Sequence, residues 1–97
     1  MQKNHVYILT NKNKRVLYVG VTSNLKDRIE KHKTKFYKKS FTARYNCDML
    51  VYFEVFENIS EAILREKQLK AGNRAKKEAL VNNDNPEWKD LSDGWFE

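Results

Sequence analysis

The sequence predicts a small α/β protein of the α+β type, in which a sheet is covered by helices. Two apolar runs, "HVYILT" and "VLYVG", flank a polar loop and indicate a β-hairpin. A third run, "DMLVYFEVF", is rich in β-branched and aromatic residues and indicates a central strand. Three further segments carry helix-forming residues. The predicted order is therefore strand, strand, helix, strand, helix, helix.

The hairpin brings two tyrosines into register. If its loop is residues 11–14, Thr10 pairs with Arg15, and counting inward places Tyr7 opposite Tyr18. Tyrosine is a common strand residue, so packing alone could explain both. Gly20, at the end of the second strand, can turn the chain sharply where a side chain could not.

Three helices follow from their caps and composition. "TSNLKDRIEKHK" has Asn24 or Ser23 as its N-cap, and "SEAILREKQLK" has Ser60. Residues 71–73, Ala-Gly-Asn, break or kink the chain before the last helix, "RAKKEALV". We expect one domain over residues 1–97, with residues 82–97 as a tail packed on it through Trp88 and Trp95.

The composition restricts the function classes. The formal net charge of +6 favours an anionic partner such as nucleic acid, an anionic membrane or an acidic protein. No apolar run approaches the roughly 20 residues needed to span a bilayer, and no secretory segment follows Met1. The lone Cys47 cannot form an internal disulfide and is expected to be a small core residue. We expect a cytoplasmic protein without a membrane partner.

Charged side chains fall on the inward faces of two predicted helices. Arg28 and His32 lie within about 100° of Leu25 and Ile29. An arginine there needs a carboxylate or a phosphate, unless its stem carries it to solvent. Glu66 occupies the apolar face of the second helix, so it needs a metal ion or a salt bridge, for which Arg28 is one candidate.

These side chains suit phosphodiester hydrolysis, which needs an activated water, neutralised phosphate charge and a protonated leaving group. One glutamate can hold a Mg²⁺ that keeps most of its waters. Arg28 can bind a phosphate oxygen with its planar fork. A tyrosine whose pKa is lowered by a nearby cation can help deprotonate water, and His32 can orient or relay.

The residues also resemble the GIY-YIG nuclease superfamily, which is named for two tripeptides on a hairpin. The tripeptides match residues 5–7 and residues 18–20, with His5 in place of the first glycine. "YVGVTSNLKDRIEKH" is similar to the family's helix, and "REKQLK" to the segment that carries its metal-binding glutamate. The resemblance covers nearly the whole chain, including "NPEWKDL", and is closest to the small single-domain bacterial members. The segment 71–72 departs from close relatives, which tend to carry a larger residue there.

The resemblance implies a three-stranded sheet flanked by helices and an endonuclease that cuts DNA with one divalent ion, Mg²⁺ or Mn²⁺. It makes Tyr7 the general base, Tyr18 its supporting neighbour and Arg28 the phosphate clamp. By the same match, His32 is an auxiliary group and Glu66 is the metal ligand.

The second hypothesis is a binding module with the same fold and basic surface but little catalysis. It would bind DNA or RNA with little sequence specificity. A protein-interaction domain whose charge is incidental is the third and weakest. Aromatic residues lie among cations in "KTKFYKKSFTARYN", a pattern that could grip a backbone and stack on bases. The nucleic-acid-binding candidates are Lys26, Lys35, Lys67, Lys70, Arg74 and Lys77.

Overall fold

A computed structural model describes residues 3–97, and its centre is a three-stranded antiparallel sheet in the order β2-β1-β3. The strands are β1 (Asn4–Thr10), β2 (Leu17–Thr22) and β3 (Met49–Phe56). The strand β1 is the middle one and carries helices or loops over both faces, which is why its sequence is almost continuously apolar. The predicted α+β class and element order are confirmed.

The hairpin register differs from the prediction. Thr10 pairs with Leu17, and Tyr7 lies opposite Gly20 rather than Tyr18. The loop is longer than expected because the Asn11 side chain closes it: Oδ1 accepts hydrogen bonds from the backbone N–H groups of Arg15 and Val16. Thr10 adds a hydrogen bond to the Val16 carbonyl. These contacts hold residues 11–16 outside the ladder and shift every cross-strand pair.

The helices agree with the predicted segments, apart from one additional turn. They are α1 (Leu25–Lys33), α2 (Phe41–Arg44), α3 (Ile59–Ala71) and α4 (Arg74–Asp84). Asn24 caps α1 as expected, whereas Asn58, not Ser60, caps α3. Helix α3 ends before Gly72 and Asn73 caps α4, so the predicted break is confirmed. The short α2, capped by Ser40, was not predicted. Helix α4 continues to Asp84, three residues into the range expected to be tail.

The sheet separates two apolar clusters. Val6 and Ile8 pack beneath α3 and α4, with Ala62 and Leu69 from the first of these helices. The alternate residues of β1, Tyr7 and Leu9, face the opposite side, where the side chains of α1 complete the second cluster. Cys47 is fully buried there as a free thiol, as the sequence predicted. None of the helices within residues 3–97 is long and apolar enough to cross a membrane.

Residues 85–97 run back over the domain and are held there by two tryptophan side chains and one carboxylate. Trp88 packs against the first cluster and Trp95 against the second. The carboxylate of Asp90 accepts hydrogen bonds from the backbone N–H of Leu50, from Ser92 and from Lys33 Nζ, the last at 2.6 Å. Burial opposes ionisation, but the hydrogen bonds outweigh it and lower the pKa of Asp90. This carboxylate therefore joins α1, β3 and the C-terminal segment.

We expect Asp90→Ala to lower the free energy of unfolding by about 2 kcal/mol, because it leaves the backbone N–H of Leu50 without its acceptor and the Lys33 ammonium without its carboxylate partner. Since the folded pKa is lowered, the stabilisation is present above the ordinary pKa of 3.8 and is lost as the pH falls through the folded value. Urea unfolding at pH 7 and at pH 3 measures both effects. Asp93→Ala, which removes an exposed carboxylate nearby, is the control; equal losses in the two variants would contradict the assignment.

Candidate active site

The site is built around Tyr7, whose phenol packs against the backbone of Gly20. Tyr7 is 1% exposed, and Gly20 is its cross-strand partner in β2, an edge strand. A Cβ at residue 20 would overlap Cζ and Oη of the phenol. Gly20 therefore lies within the strand and makes no turn, contrary to the sequence-based expectation. Its missing side chain is what lets the Tyr7 ring extend across the strand.

The Tyr7 hydroxyl begins a chain of hydrogen bonds. Its Oη is 3.0 Å from Nε2 of His32, and Nδ1 of the same imidazole is 2.9 Å from Oγ1 of Thr42. Thr42 is buried, and the Ser40 hydroxyl lies 3.2 Å from it. The imidazole is thus held at both nitrogens, with one side toward the phenol and the other toward α2. This chain can fix the ring and carry a proton.

Tyr18 lies beside this chain without joining it by a hydrogen bond. Its ring centroid is 6.4 Å from that of Tyr7 and 5.8 Å from that of His32. On its other side Tyr18 stacks on Phe41 of α2, and Lys70 Nζ lies 5.8 Å from its ring centroid. The two phenols are neighbours even though they are not opposite each other in the ladder.

Arg28 and Glu66 act on the Tyr7 hydroxyl from helices on opposite faces of the sheet. Arg28 lies one turn before His32 on α1, is half-buried, and has no carboxylate partner among residues 3–97. Glu66 on α3 is mostly buried and pairs with Lys70 at 3.2 Å. The salt bridge of Glu66 is therefore made within its own helix and not with Arg28. The guanidinium remains available to an anion from outside.

The environment moves two pKa values in opposite directions. Burial, followed by the neighbouring Tyr18, raises the pKa of Tyr7 far above its ordinary value of 10; Arg28 works against this and Glu66 adds to it. Burial and then the Arg28 charge lower the pKa of His32 to about 4. The expectation of a lowered tyrosine pKa is wrong for the free protein, because one nearby cation does not offset burial. At neutral pH a protonated phenol faces a neutral imidazole.

The site offers one carboxylate, which suits a divalent ion that keeps most of its waters. Among residues 3–97, no three His, Cys, Asp or Glu side chains cluster as metal ligands. A single mostly buried carboxylate, Glu66, fits Mg²⁺ or Mn²⁺, which can keep several waters and take further oxygens from a phosphate. It does not fit a structural zinc centre, which needs four protein ligands.

Three of the six nucleic-acid-binding candidates make specific contacts within the protein. Lys70 is next to Glu66 and Tyr18. The guanidinium of Arg74 donates to the backbone carbonyls of Lys14 and Arg15, at 2.8 and 2.6 Å, so it anchors the hairpin loop to α4. Lys77 donates to the carbonyl of Gly72. The remaining candidates are exposed: Lys26, Lys35 and Lys67. Their contact with nucleic acid remains a prediction.

Sequence reasoning missed Thr42 as a site residue, and it predicted base stacking for Phe41 but no contact with Tyr18. Both lie in α2, a single turn whose four residues give no hydrophobic period. The available signal was Ser40, a hydroxyl residue of the N-cap type inside a basic and aromatic segment. Ser40 accepts a hydrogen bond from the backbone N–H of Ala43 and so starts the turn that brings Thr42 to His32.

Comparison with known proteins shows which family has this sequence pattern. Residues 3–79 match the family model described as the GIY-YIG catalytic domain. The chain belongs to the GIY-YIG family. The matched residues include all five that the resemblance singled out, and in the structure the other four all lie close enough to Tyr7 to interact with it.

Relatives of this GIY-YIG chain match it almost end to end. A UPF0213 protein of Syntrophus aciditrophicus is 37% identical over 90% of this chain and 98% of its own length. A UPF0213 protein of Clostridium perfringens is 41% identical over 82% of this chain and 84% of its own. The solution NMR structure of a UPF0213 protein from Bacillus halodurans has a TM-score of 0.57 and 28% identity, covering 95% of this chain and 97% of that one.

We expect Gly20→Ala to destabilise the protein by about 1–3 kcal/mol, because the new methyl group displaces the Tyr7 ring in a packed core. In a Tyr7→Ala background the same change should cost much less, since the ring is gone. Chemical denaturation of the four proteins measures this coupling. Gly72→Ala is the control, because a Cβ there meets its nearest atoms at an ordinary 3.5 Å. Additive losses at residues 7 and 20 would contradict the contact.

His32 should titrate near pH 4, and Arg28→Gln should raise its pKa without restoring 6.5, since burial is the larger cause. The neutral folded form also means that the stability contributed by His32 is lost as the pH falls from 6.5 toward 4. Imidazole chemical shifts followed by NMR across pH 3–8 measure the titration. An unshifted pKa in the wild type would show that the imidazole is solvated.

Proposed function

We propose that this chain is a metal-dependent endonuclease that hydrolyses phosphodiester bonds in DNA. The observation that supports it most directly is the hydroxyl of Tyr7. It is hydrogen-bonded to a neutral imidazole, and the charges of Arg28 and Glu66 both act on it. A buried phenol in a purely structural role would not need an unpaired arginine beside it.

The hydrogen-bond chain offers a path for the proton of the attacking water. With the imidazole proton on Nδ1, His32 donates to Thr42 and its Nε2 accepts from Tyr7. As water attacks phosphorus, its proton passes to Tyr7 Oη while the phenol proton passes to Nε2. The bond from phosphorus to the leaving sugar oxygen breaks, and that oxygen takes a proton from solvent. Tyr7 acts as the base without becoming a free phenolate.

Arg28 would bind the scissile phosphate and also adjust His32. Its guanidinium has no carboxylate partner within residues 3–97, so a phosphate can take both arms of the fork. The Arg28 charge helps to lower the pKa of His32. A bound phosphate offsets that charge, so substrate binding raises the pKa of His32 and makes it a better acceptor for the phenol proton.

Glu66 would hold one Mg²⁺ or Mn²⁺ through its single carboxylate. When bound, the ion supplies positive charge that stabilises the negative charge developing on the phosphate oxygens. Lys70 neutralises Glu66 in the free protein and would release it to the ion. Lys70 already lies over Tyr18, and once released from Glu66 its charge could meet the DNA backbone there.

A nucleic-acid-binding module with little catalysis is the second candidate, and two observations favour it. The Glu66 carboxylate is already paired with Lys70, and burial raises the pKa of the proposed base. Such a module would bind DNA or RNA through the basic surface, with affinity falling steeply as salt increases.

Cleavage of labelled single-stranded, nicked and branched DNA, with Mg²⁺ and without it, tests the proposal. We expect Tyr7→Phe to reduce the rate by roughly 100-fold or more, because it removes the hydroxyl and keeps the ring over Gly20. Glu66→Gln keeps the size of the side chain and should raise the Mg²⁺ concentration that activity requires. Glu61→Gln, an exposed change in the first turn of the same helix, is the control and should match the wild type.

Two results would overturn the nuclease proposal. One is wild-type protein that cuts none of these substrates while binding them with a steep salt dependence, which would establish the binding module instead. The other is cleavage that persists unchanged in both Tyr7→Phe and Glu66→Gln, which would place the chemistry elsewhere.

A further inference from the structure

A row of aromatic rings leads away from the candidate active site along α2. Tyr18 stacks on Phe41 with ring centroids 6.1 Å apart and planes inclined by 27°. Phe41 contacts Tyr45 at 4.7 Å and 47°. We call Tyr18, Phe41 and Tyr45 the aromatic strip. It begins at the ring that neighbours the proposed base and ends beside the hairpin loop.

The outer part of the strip is open to solvent. Phe41 is 48% exposed and Tyr45 is 43% exposed. Rings of this size that remain half-exposed in a row, beside a proposed catalytic centre, present faces on which another flat ring can stack. A nucleobase is such a ring, and stacking on aromatic side chains is the usual way in which proteins hold unpaired bases.

The strip ends at a depression whose other walls carry amide groups. Its volume is about 420 Å³, and its lining is Tyr45, Asn46 and loop residues Asn11, Lys12 and Asn13. The side-chain carbonyls of Asn11 and Asn13 accept backbone hydrogen bonds inside the loop, which fixes both side chains. Their NH₂ groups and the side chain of Asn46 make no hydrogen bond within residues 3–97. Free amides of this kind can hydrogen-bond the exposed edge of an unpaired base.

Positive charge flanks the same surface. Lys12 is exposed at the loop, and Arg44 lies between Phe41 and Tyr45 in sequence. Arg44 also lines a neighbouring depression of about 390 Å³ with Lys38 and Lys39. This arrangement suits a single nucleic-acid strand, whose phosphates can contact the cations while its bases stack on the rings between them.

We infer that the aromatic strip and the loop depression form a subsite for an unpaired base, one or a few nucleotides from the scissile phosphate, so that the protein selects single-stranded DNA. The inference rests on the proposed function and adds the substrate class to it. A duplex cannot use this subsite, because its bases are stacked on each other and show only their edges in the grooves. A single strand can turn its bases outward onto the rings.

Binding measured in EDTA tests the subsite separately from cleavage. The probe is a fluorescein-labelled oligo-dT of about 15 nucleotides, compared with a duplex of the same length. We expect Tyr45→Ala to weaken binding of the single strand roughly 5- to 50-fold and to change duplex binding less than about twofold. Tyr45→Phe keeps the ring and should bind nearly as the wild type does.

Phe96→Ala is the control, because Phe96 is also an exposed ring, at 36%, and its ring contact is with Trp95, outside the strip and outside the basic segment. An equal loss in Phe96→Ala and Tyr45→Ala, or an equal loss for the single strand and the duplex, would overturn the subsite. A second probe is an oligonucleotide of the same length in which every position is abasic. The wild type should bind it more weakly than oligo-dT, and equally tight binding of the two would show that no base is held there. Circular dichroism verifies that each variant is folded.

The outcomes for the two proposals are independent. Preference for the single strand that depends on Tyr45, without Mg²⁺-dependent cleavage, would support the subsite and contradict the nuclease. Cleavage that needs Tyr7 and Glu66 but proceeds normally in Tyr45→Ala, with unchanged binding, would support the nuclease and contradict the subsite.

Discussion

The candidate site depends on the contact between the Tyr7 ring and the bare backbone of Gly20. A side chain on the edge strand at that point would push the phenol away from His32, and the hydrogen-bond chain to Thr42 would lose its first member. The same contact closes the core on the α1 side of the sheet, where Tyr7 is among the largest fully buried side chains. The packing of Tyr7 and its proposed chemistry thus both require that residue 20 has no side chain.

The burial and the charges around that contact have opposing effects on the protonation of Tyr7. Burial favours the uncharged forms of both Tyr7 and His32, and Arg28 lowers the pKa of each. Glu66 opposes Arg28 at the phenol while Lys70 neutralises Glu66 within α3. Arg28 has no carboxylate partner within residues 3–97, but it is half-exposed, so solvent stabilises its charge and a phosphate can reach it. Membership of the GIY-YIG family and this geometry both agree with the chemistry proposed above.

Two of the differences between the sequence-based predictions and the structure have specific local causes. The register shift comes from the Asn11 side chain, which replaces ladder hydrogen bonds with loop hydrogen bonds and lengthens the loop beyond residues 11–14. The additional turn α2 forms because Ser40 can cap it and because Thr42 and Ala43 become buried against the domain. Neither effect has a period of 2 or 3.6 that sequence reading could detect. Both therefore required the tertiary structure, and both alter the site.

The sequence by itself determined the element order, the break between α3 and α4 and the buried free thiol, and it indicated the five polar side chains that are proposed for the site. It could do so because apolar periodicity, capping residues and charges on inward faces are local patterns, and the family resemblance adds their spacing. Only the tertiary structure decided that Tyr7 faces Gly20, that Glu66 pairs with Lys70, that Thr42 holds His32 and that the tyrosine pKa is raised. Each of these depends on which segments distant in the chain come together and on how much water they exclude, and no local pattern encodes either quantity.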